Sequence, residues 1–300
     1  MSLDHDQIFK QLIESFFREF MQLFFSAEAA LIDFNRVEFL REELFTDIPD
    51  GQRRRLDLVV KVDLLGGGEK FVLIHVEFES SRPDADFPRR MYRYFSQLYL
   101  RHQTEILPVA VFTDDVLWQT PVPDFLELSL AGSTIVRFVY RQIKLKQLDH
   151  RAFLSSNNPL AYALMAKMDY NATERVRLKA DFLRLILGCG VNPARQSLLA
   201  EFVGTYLPLS VPEQVEFNAL LDSERQYEEV KHMVSVFATE AFEKGIEQGL
   251  HEGLILLLEK RFGPLDQAIR QRVYALESRE KLDALLLAVL DSPSLAELPW

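Results

Sequence analysis

Residues 55–80 constrain the fold more than any other stretch. Arg55–Leu65 and Lys70–Ser80 each alternate in polarity with period two, and Gly66, Gly67 and Gly68 lie between them. Two alternating runs around a short glycine turn predict a β-hairpin. On the first strand Leu56, Leu58, Val60, Val62 and Leu64 make one wholly apolar face, which must be core. The opposite face carries Arg55, Asp57, Val59, Lys61 and Asp63. On the second strand Val72, Ile74, Val76 and Phe78 face the core, and Leu73, His75, Glu77 and Glu79 face away from it. With Gly67 at the centre of the turn, Asp57 opposes Glu77 and Arg55 opposes Glu79, with Cβ atoms about 5 Å apart.

The rest of the first half completes an α/β domain. Residues 6–25 read as a helix, with Ile8, Leu12, Phe16, Phe20 and Leu23 on one side and Asp6 as its cap. Val37–Phe45 reads as a strand, followed by a turn over 47–51. Pro88–Gln103 reads as a helix with Phe87, Met91, Phe95 and Leu98 inward, Leu107–Phe112 as a short buried strand, and Thr134–Tyr140 as a further one. The expected order is therefore αβββαβ with a mixed sheet, over about residues 1–145. After Pro159 helical patterns dominate to the end, near 160–168, 173–188, 195–205, 212–221 and 226–253, and two short helices follow the break at Gly263-Pro264. The organisation expected is a domain over 1–145, a helical region over 146–240 and a small helical domain over 241–300.

Composition narrows the function classes. Of 300 residues, 34 are Lys or Arg and 45 Asp or Glu, a net charge of −11, so no general basic coat grips nucleic acid and only a local basic groove would serve. The six histidines show no zinc spacing, and Cys189 stands alone. No nucleophile elbow, phosphate loop or dinucleotide fingerprint is present. No apolar run approaches the ~20 residues of a membrane span. A lone cysteine and an acidic start without a basic leader fit a cytoplasmic protein that meets no membrane.

Two carboxylates facing each other repel. A hard divalent ion between them relieves this, and Mg²⁺ needs only one or two carboxylates plus water. The alternative is that both acids lie on a solvated face, neutralised by Arg55, Lys61 or water.

The run Leu56-Asp57, the hairpin, and Ile74-His-Val-Glu77-Phe-Glu79-Ser80 resemble the PD-(D/E)XK nuclease pattern. The closer likeness is to its recombination-promoting nuclease or transposase-like branch. The resemblance extends to the opening Phe9-Lys10…Glu14 helix and to Phe87-Pro-Arg-Arg-Met91-Tyr-Arg-Tyr94. It implies a restriction-endonuclease-like fold and divalent-metal-dependent cleavage of DNA, with Mg²⁺, or Mn²⁺ in its place. Asp57 and Glu77 would then be metal ligands, and Glu14 an acid that supports a bound water or is merely exposed. The pattern's third residue is lysine, often glutamine in this branch, whereas this chain has Glu79. Glu79 is either a third oxygen ligand in the catalytic set or the ion-pair partner of Arg55. The runner-up function is a weak or inactive nuclease-derived module that binds nucleic acid or protein. About the last 60 residues resemble a small helical domain of unknown function, through the glycine-spaced helix, Arg261-Phe-Gly-Pro264 and Ser294-Leu-Ala-Glu-Leu298.

The helix over 88–103 is the expected DNA contact. Arg90, Arg93, Tyr94, Gln97 and Arg101 form a stripe opposite its apolar one, suited to phosphates and stacked bases. The alternative is that these arginines pair with nearby acids. Arg53-Arg54-Arg55 adds charge beside the hairpin. His75, on the face of Glu77, is expected to be a satisfied histidine beneath that helix, the alternative being a metal ligand. Gly245, Gly249 and Gly253 form a stripe suited to close helix pairing, within the chain or in a homodimer.

Overall fold

The computed structural model describes residues 5–40, 57–66, 71–276 and 278–300, without the side chains at 6, 71, 237–247, 279, 280 and 296. Arg53–Arg55, Leu56, the turn over 47–51, Gly67, Gly68, the end of the strand expected over 37–45, the Asp6 cap and the surroundings of Gly245 lie outside the described residues. The chain forms two compact units, Met1–Val230 and Lys231–Trp300.

The first unit is α/β. It opens with α1 (His5–Ser15), α2 (Phe17–Phe24) and the short α3 (Ser26–Ala29), where the periodicity predicts one helix. The break falls at Phe16, whose φ of −126° leaves the helical region. Phe16 and Phe17 are both buried, which a straight helix with one apolar face does not offer. Three antiparallel strands follow, β1 (Ile32–Leu40), β2 (Leu58–Leu64) and β3 (Phe71–Glu79). Then come α4 (Phe87–His102), β4 (Ile106–Phe112), a hairpin of β5 (Phe125–Leu130) and β6 (Ser133–Val139), and β7 (Arg141–Lys144). β4 runs parallel to both β3 and β7, so the five-stranded sheet β1-β2-β3-β4-β7 is mixed. The expected single strand near 134–140 is half of a separate two-stranded sheet, β5-β6, and β7 is the fifth strand of the main one.

Both faces of the sheet are covered. One face carries Leu58, Val60, Ile74, Val76 and Phe78, all buried, and the Phe9 ring of α1 lies 6.0 Å from that of Phe78. The other face lies under α4, where Val59 and Leu73 pack with Tyr94 and Leu98, so the alternative of a solvated face does not hold there. This follows from the parallel pairing: a β-α-β crossover lays its helix across the sheet. Further along α4, Phe87 and Met91 join Ala110, Phe112, Trp118 and Phe138 in a second cluster.

The helices α5 (Pro159–Leu164), α6 (Arg175–Gly188), α7 (Pro193–Tyr206) and α8 (Val211–Ser223) belong to this same unit, so the helical region expected over 146–240 does not stand apart. The reason is burial: α1 and α2 carry more apolar surface than the sheet covers. Phe202 of α7 meets Phe9 edge-on at 5.0 Å. Arg195 lies 4.0 Å over the Phe16 ring and donates to Glu19 at 2.8 Å. Asn158 caps α5 through its Oδ1 while its Nδ2 donates to the Glu19 carbonyl at 2.9 Å.

The second unit contains most of α9 (Glu228–Phe262), then α10 (Gln267–Tyr274) and α11 (Arg279–Asp291). Its core joins Leu254, Leu258, Val273, Leu282, Leu285 and Val289. α9 runs on to Phe262, past the end expected near 253, and stops before Gly263, whose φ of +86° suits glycine. Among the described residues, no helix is long and apolar enough to cross a membrane.

Candidate functional site

The hairpin register positions the site. Leu58 pairs with Val76, Val59 with His75 and Val60 with Ile74, so the next step along the ladder sets Asp57 against Glu77. Two side chains continue the ladder beyond its last backbone pair. The Phe78 N–H donates to Asp57 Oδ2 at 2.8 Å, and the Asp57 N–H lies 3.4 Å from Glu77 Oε1. β2 is antiparallel to β3, so the start of one strand meets the end of the other, and Glu77 is buried there.

His75 is fully enclosed, and its Nε2 lies 2.7 Å from Glu77 Oε1. An ionised carboxylate only accepts, so beside ionised Glu77 the ring nitrogen donates and Nε2 carries the proton. The ring meets Tyr94 edge-on at 5.7 Å, while Nδ1 is buried without a hydrogen-bond partner among the described residues. His75 thus fixes the Glu77 carboxylate from behind, beneath α4.

Glu79 lies one step beyond Glu77 on the same face, half-buried, and binds Arg90 of α4 through Nη2. The Arg90 guanidinium stands 4.7 Å over the Phe87 ring. Burial works to lower its pKa, yet the bond to Glu79 and the charges of Glu79 and Glu77 outweigh this and hold it above the ordinary arginine value. Glu79 is therefore engaged by Arg90, and the sequence offered Arg55 because register alone cannot show which helix side chain descends onto a strand.

These contacts change the premise that an ion must separate the two acids. Backbone N–H groups, His75 and Arg90 already hold the like charges together. Among the described residues, no three of His, Cys, Asp and Glu are grouped to share one ion. Glu79 is taken by Arg90. Glu14 is half-buried on α1, the helix whose Phe9 meets the Phe78 face, whereas Glu77 points to the α4 face. What remains is a two-carboxylate donor set, Asp57 and Glu77, with the described hydrogen bonds engaging Oδ2 of one and Oε1 of the other. That set fits Mg²⁺ or Mn²⁺, which complete their shells with water.

The expected stripe on α4 divides. Tyr94 is buried against His75, so it offers no ring for stacking a base. Gln97 is half-buried, with its Oε1 enclosed and without a partner among the described residues. Arg93 and Arg101 are exposed, and Arg93 shares Asp86 with Arg89 at 3.8 and 3.9 Å. The correction has a geometric cause: the helix lies flat on the sheet, so its buried arc is wider than the stripe of Phe87, Met91 and Leu98 alone.

One polar group went unread in the sequence. Thr113-Asp114-Asp115 follows β4, and Lys144 ends β7, at the same end of the sheet as Glu79. Lys144 Nζ is 2.5 Å from Asp114 Oδ2 and 4.6 Å over the Trp118 ring, both side chains being buried. Burial pushes the Lys144 pKa down, against the opposing pull of Asp114. Lys167 binds Asp115 at 2.6 Å. The available signal was three polar residues directly after an apolar strand, the usual position of residues at the carboxyl ends of parallel strands.

Compared with known protein-family models, curated proteins and solved structures, the chain matches none of them.

Proposed function

We propose that the first unit is a divalent-metal-dependent DNA endonuclease with a restriction-endonuclease-like core, active in recombination or on mobile elements. The observation that carries the reading is Asp57 set against Glu77 at the end of the β2-β3 ladder. The element order αβββαβ and the mixed sheet support the same reading. Asp57 and Glu77 would hold one Mg²⁺, with His75 fixing the Glu77 carboxylate. The chemistry such an ion supplies is activation of a bound water and neutralisation of charge on the phosphate. In the reaction a water oxygen bonds to phosphorus, the bond to one ester oxygen breaks, and that oxygen leaves with a proton. Arg93 and Arg101, exposed on α4, are the proposed contacts to the DNA backbone.

The test is relaxation of supercoiled plasmid by purified protein. Slow nicking with Mg²⁺ or Mn²⁺ is expected, abolished by chelation and by Asp57→Asn or Glu77→Gln. Cleavage that survives both would place the activity elsewhere. A second reading, a nuclease-derived binding module without turnover, is favoured by one observation: Asp57, Glu77 and Glu79 each already accept a hydrogen bond from protein donors. No cleavage by the wild type under any metal condition would favour it.

A further inference from the structure

Three carboxylates, Asp57, Glu77 and Glu79, share this end of the sheet, and a nucleic-acid phosphate brought there would meet net repulsion. Among the described residues, the guanidinium of Arg90 descends among these carboxylates. We propose that Arg90 is the anion-binding residue of this site, taking a phosphate group, and that Glu79 is its internal competitor, occupying the guanidinium until phosphate displaces it. The inference rests on the nuclease reading for its ligand, a DNA phosphodiester, but its physical basis is the Arg90–Glu79 pair itself.

Four observations carry it. Arg90 springs from the first turn of α4, whose N-terminal end favours anions by its dipole. The guanidinium is preset: the Phe87 ring lies 4.7 Å beneath it, and the side chain is a quarter exposed, so it is ordered yet reachable. The bond to Glu79 runs through Nη2, while Nε is buried without a hydrogen-bond partner among the described residues. A guanidinium held through one nitrogen of its planar fork can bind a second anion at the fork's exposed edge, and the geometry that suits carboxylate also suits phosphate. Finally, Glu79 is less than one-fifth exposed and Arg90 a quarter exposed, so an incoming anion meets the pair from the guanidinium side.

The competitor makes two opposite substitutions informative. Removing the charge of Glu79 releases the guanidinium and lowers the repulsion, so Glu79→Gln tightens phosphate binding. Removing Arg90 weakens it. A merely structural pair predicts the reverse for Glu79→Gln, because an unmoored arginine binds less well.

The experiment measures affinity rather than turnover, in chelator, so that no cleavage intervenes. A fluorescent short DNA duplex is titrated by anisotropy, and inorganic phosphate is titrated by calorimetry; the first arm reads the diester and the second reads free phosphate. For the duplex, Glu79→Gln is expected to tighten binding about tenfold and Arg90→Met to weaken it about tenfold, with Arg90→Lys falling between Arg90→Met and wild type because lysine keeps the charge and loses the fork. In the Arg90→Met background Glu79→Gln should gain less than about threefold, because the competitor then has nothing to occupy. Weaker or unchanged binding by Glu79→Gln overturns the proposal. An equal gain with and without Arg90 also overturns it, since net charge alone then explains the effect. Melting curves accompany each variant; should both Arg90 variants fail to fold, Arg90→Gln takes their place in the cycle, and an absence of tightening by Glu79→Gln overturns the proposal by itself. The phosphate arm decides the class: a response for phosphate and none for DNA assigns the site to free anions and overturns the diester assignment. A protein that nicks no plasmid but shows the expected cycle loses the nuclease reading and keeps the anion site, and the converse result does the opposite.

Discussion

Asp57 has two separable roles, and the choice of substitution separates them. Its Oδ2 accepts the Phe78 N–H at 2.8 Å, the bond that the β2-β3 ladder would otherwise make with backbone. Phe78 is buried, so deleting the acceptor leaves a donor away from water. An orphaned buried donor costs about 1–3 kcal/mol. Asp57→Ala is therefore expected to lose about 2 kcal/mol. For a cooperative unit of this size that is a fall of about 4–8 °C in Tm. Asp57→Asn retains a side-chain oxygen at the same place and loses only the charge assistance, about 0.5–1 kcal/mol. The assay is urea unfolding followed by circular dichroism, with thermal melts alongside. Equal stability of the alanine and asparagine variants would refute the reasoning, because it would mean the Phe78 bond contributes nothing. The corollary is practical: Asp57→Asn, not Asp57→Ala, reports on metal binding without a folding defect.

Three further outcomes are expected. Tyr227 is fully buried and donates to Asp181 at 2.9 Å, and burial is the main reason its pKa is pushed up to about 12. Its folded pKa exceeds the ordinary value near 10, so its contribution to stability is complete below pH 10 and is lost as pH rises toward 12; Tyr227→Phe should flatten that alkaline loss in urea titrations. Lys144→Met strands a buried Asp114 and should cost about 3–5 kcal/mol, whereas pairing it with Asp114→Leu should recover much of the loss in a double-mutant cycle. An added Cβ at Gly249 meets nothing within 4 Å, so Gly249→Ala is expected to stabilise the C-terminal unit by about 1 kcal/mol; lower stability, or a smaller sedimenting mass, would place a second chain against the glycine stripe.

The hairpin was legible in the sequence because period-two alternation and a glycine turn fix both face and register. Asp57 and Glu77 could be paired from that alone. His75 was legible as a buried histidine, because an isolated polar residue between Ile74 and Val76 beneath a helix needs a partner. Other features depend on tertiary placement that no local pattern carries. The Arg90–Glu79 pair joins residues on two elements through a crossover, and nothing in residues 79–90 specifies how deep α4 lies. The same depth buried Tyr94. β5 was missed although Leu126, Leu128 and Leu130 alternate with Glu127 and Ser129; the run is short and the strand is exposed along most of its length. The merging of the helices over 159–223 with the sheet follows from the phenylalanines of α1 and α2, whose excess over what the sheet covers is visible only in three dimensions.

The central claim is that Asp57 and Glu77 hold one divalent ion jointly. Mn²⁺ titration by calorimetry tests it on the intact chain, without substrate and without turnover. The account predicts one site per chain, lost in Asp57→Asn and in Glu77→Gln, with both variants melting within a few degrees of wild type. Unchanged Mn²⁺ affinity in the Asp57→Asn/Glu77→Gln double variant would contradict it.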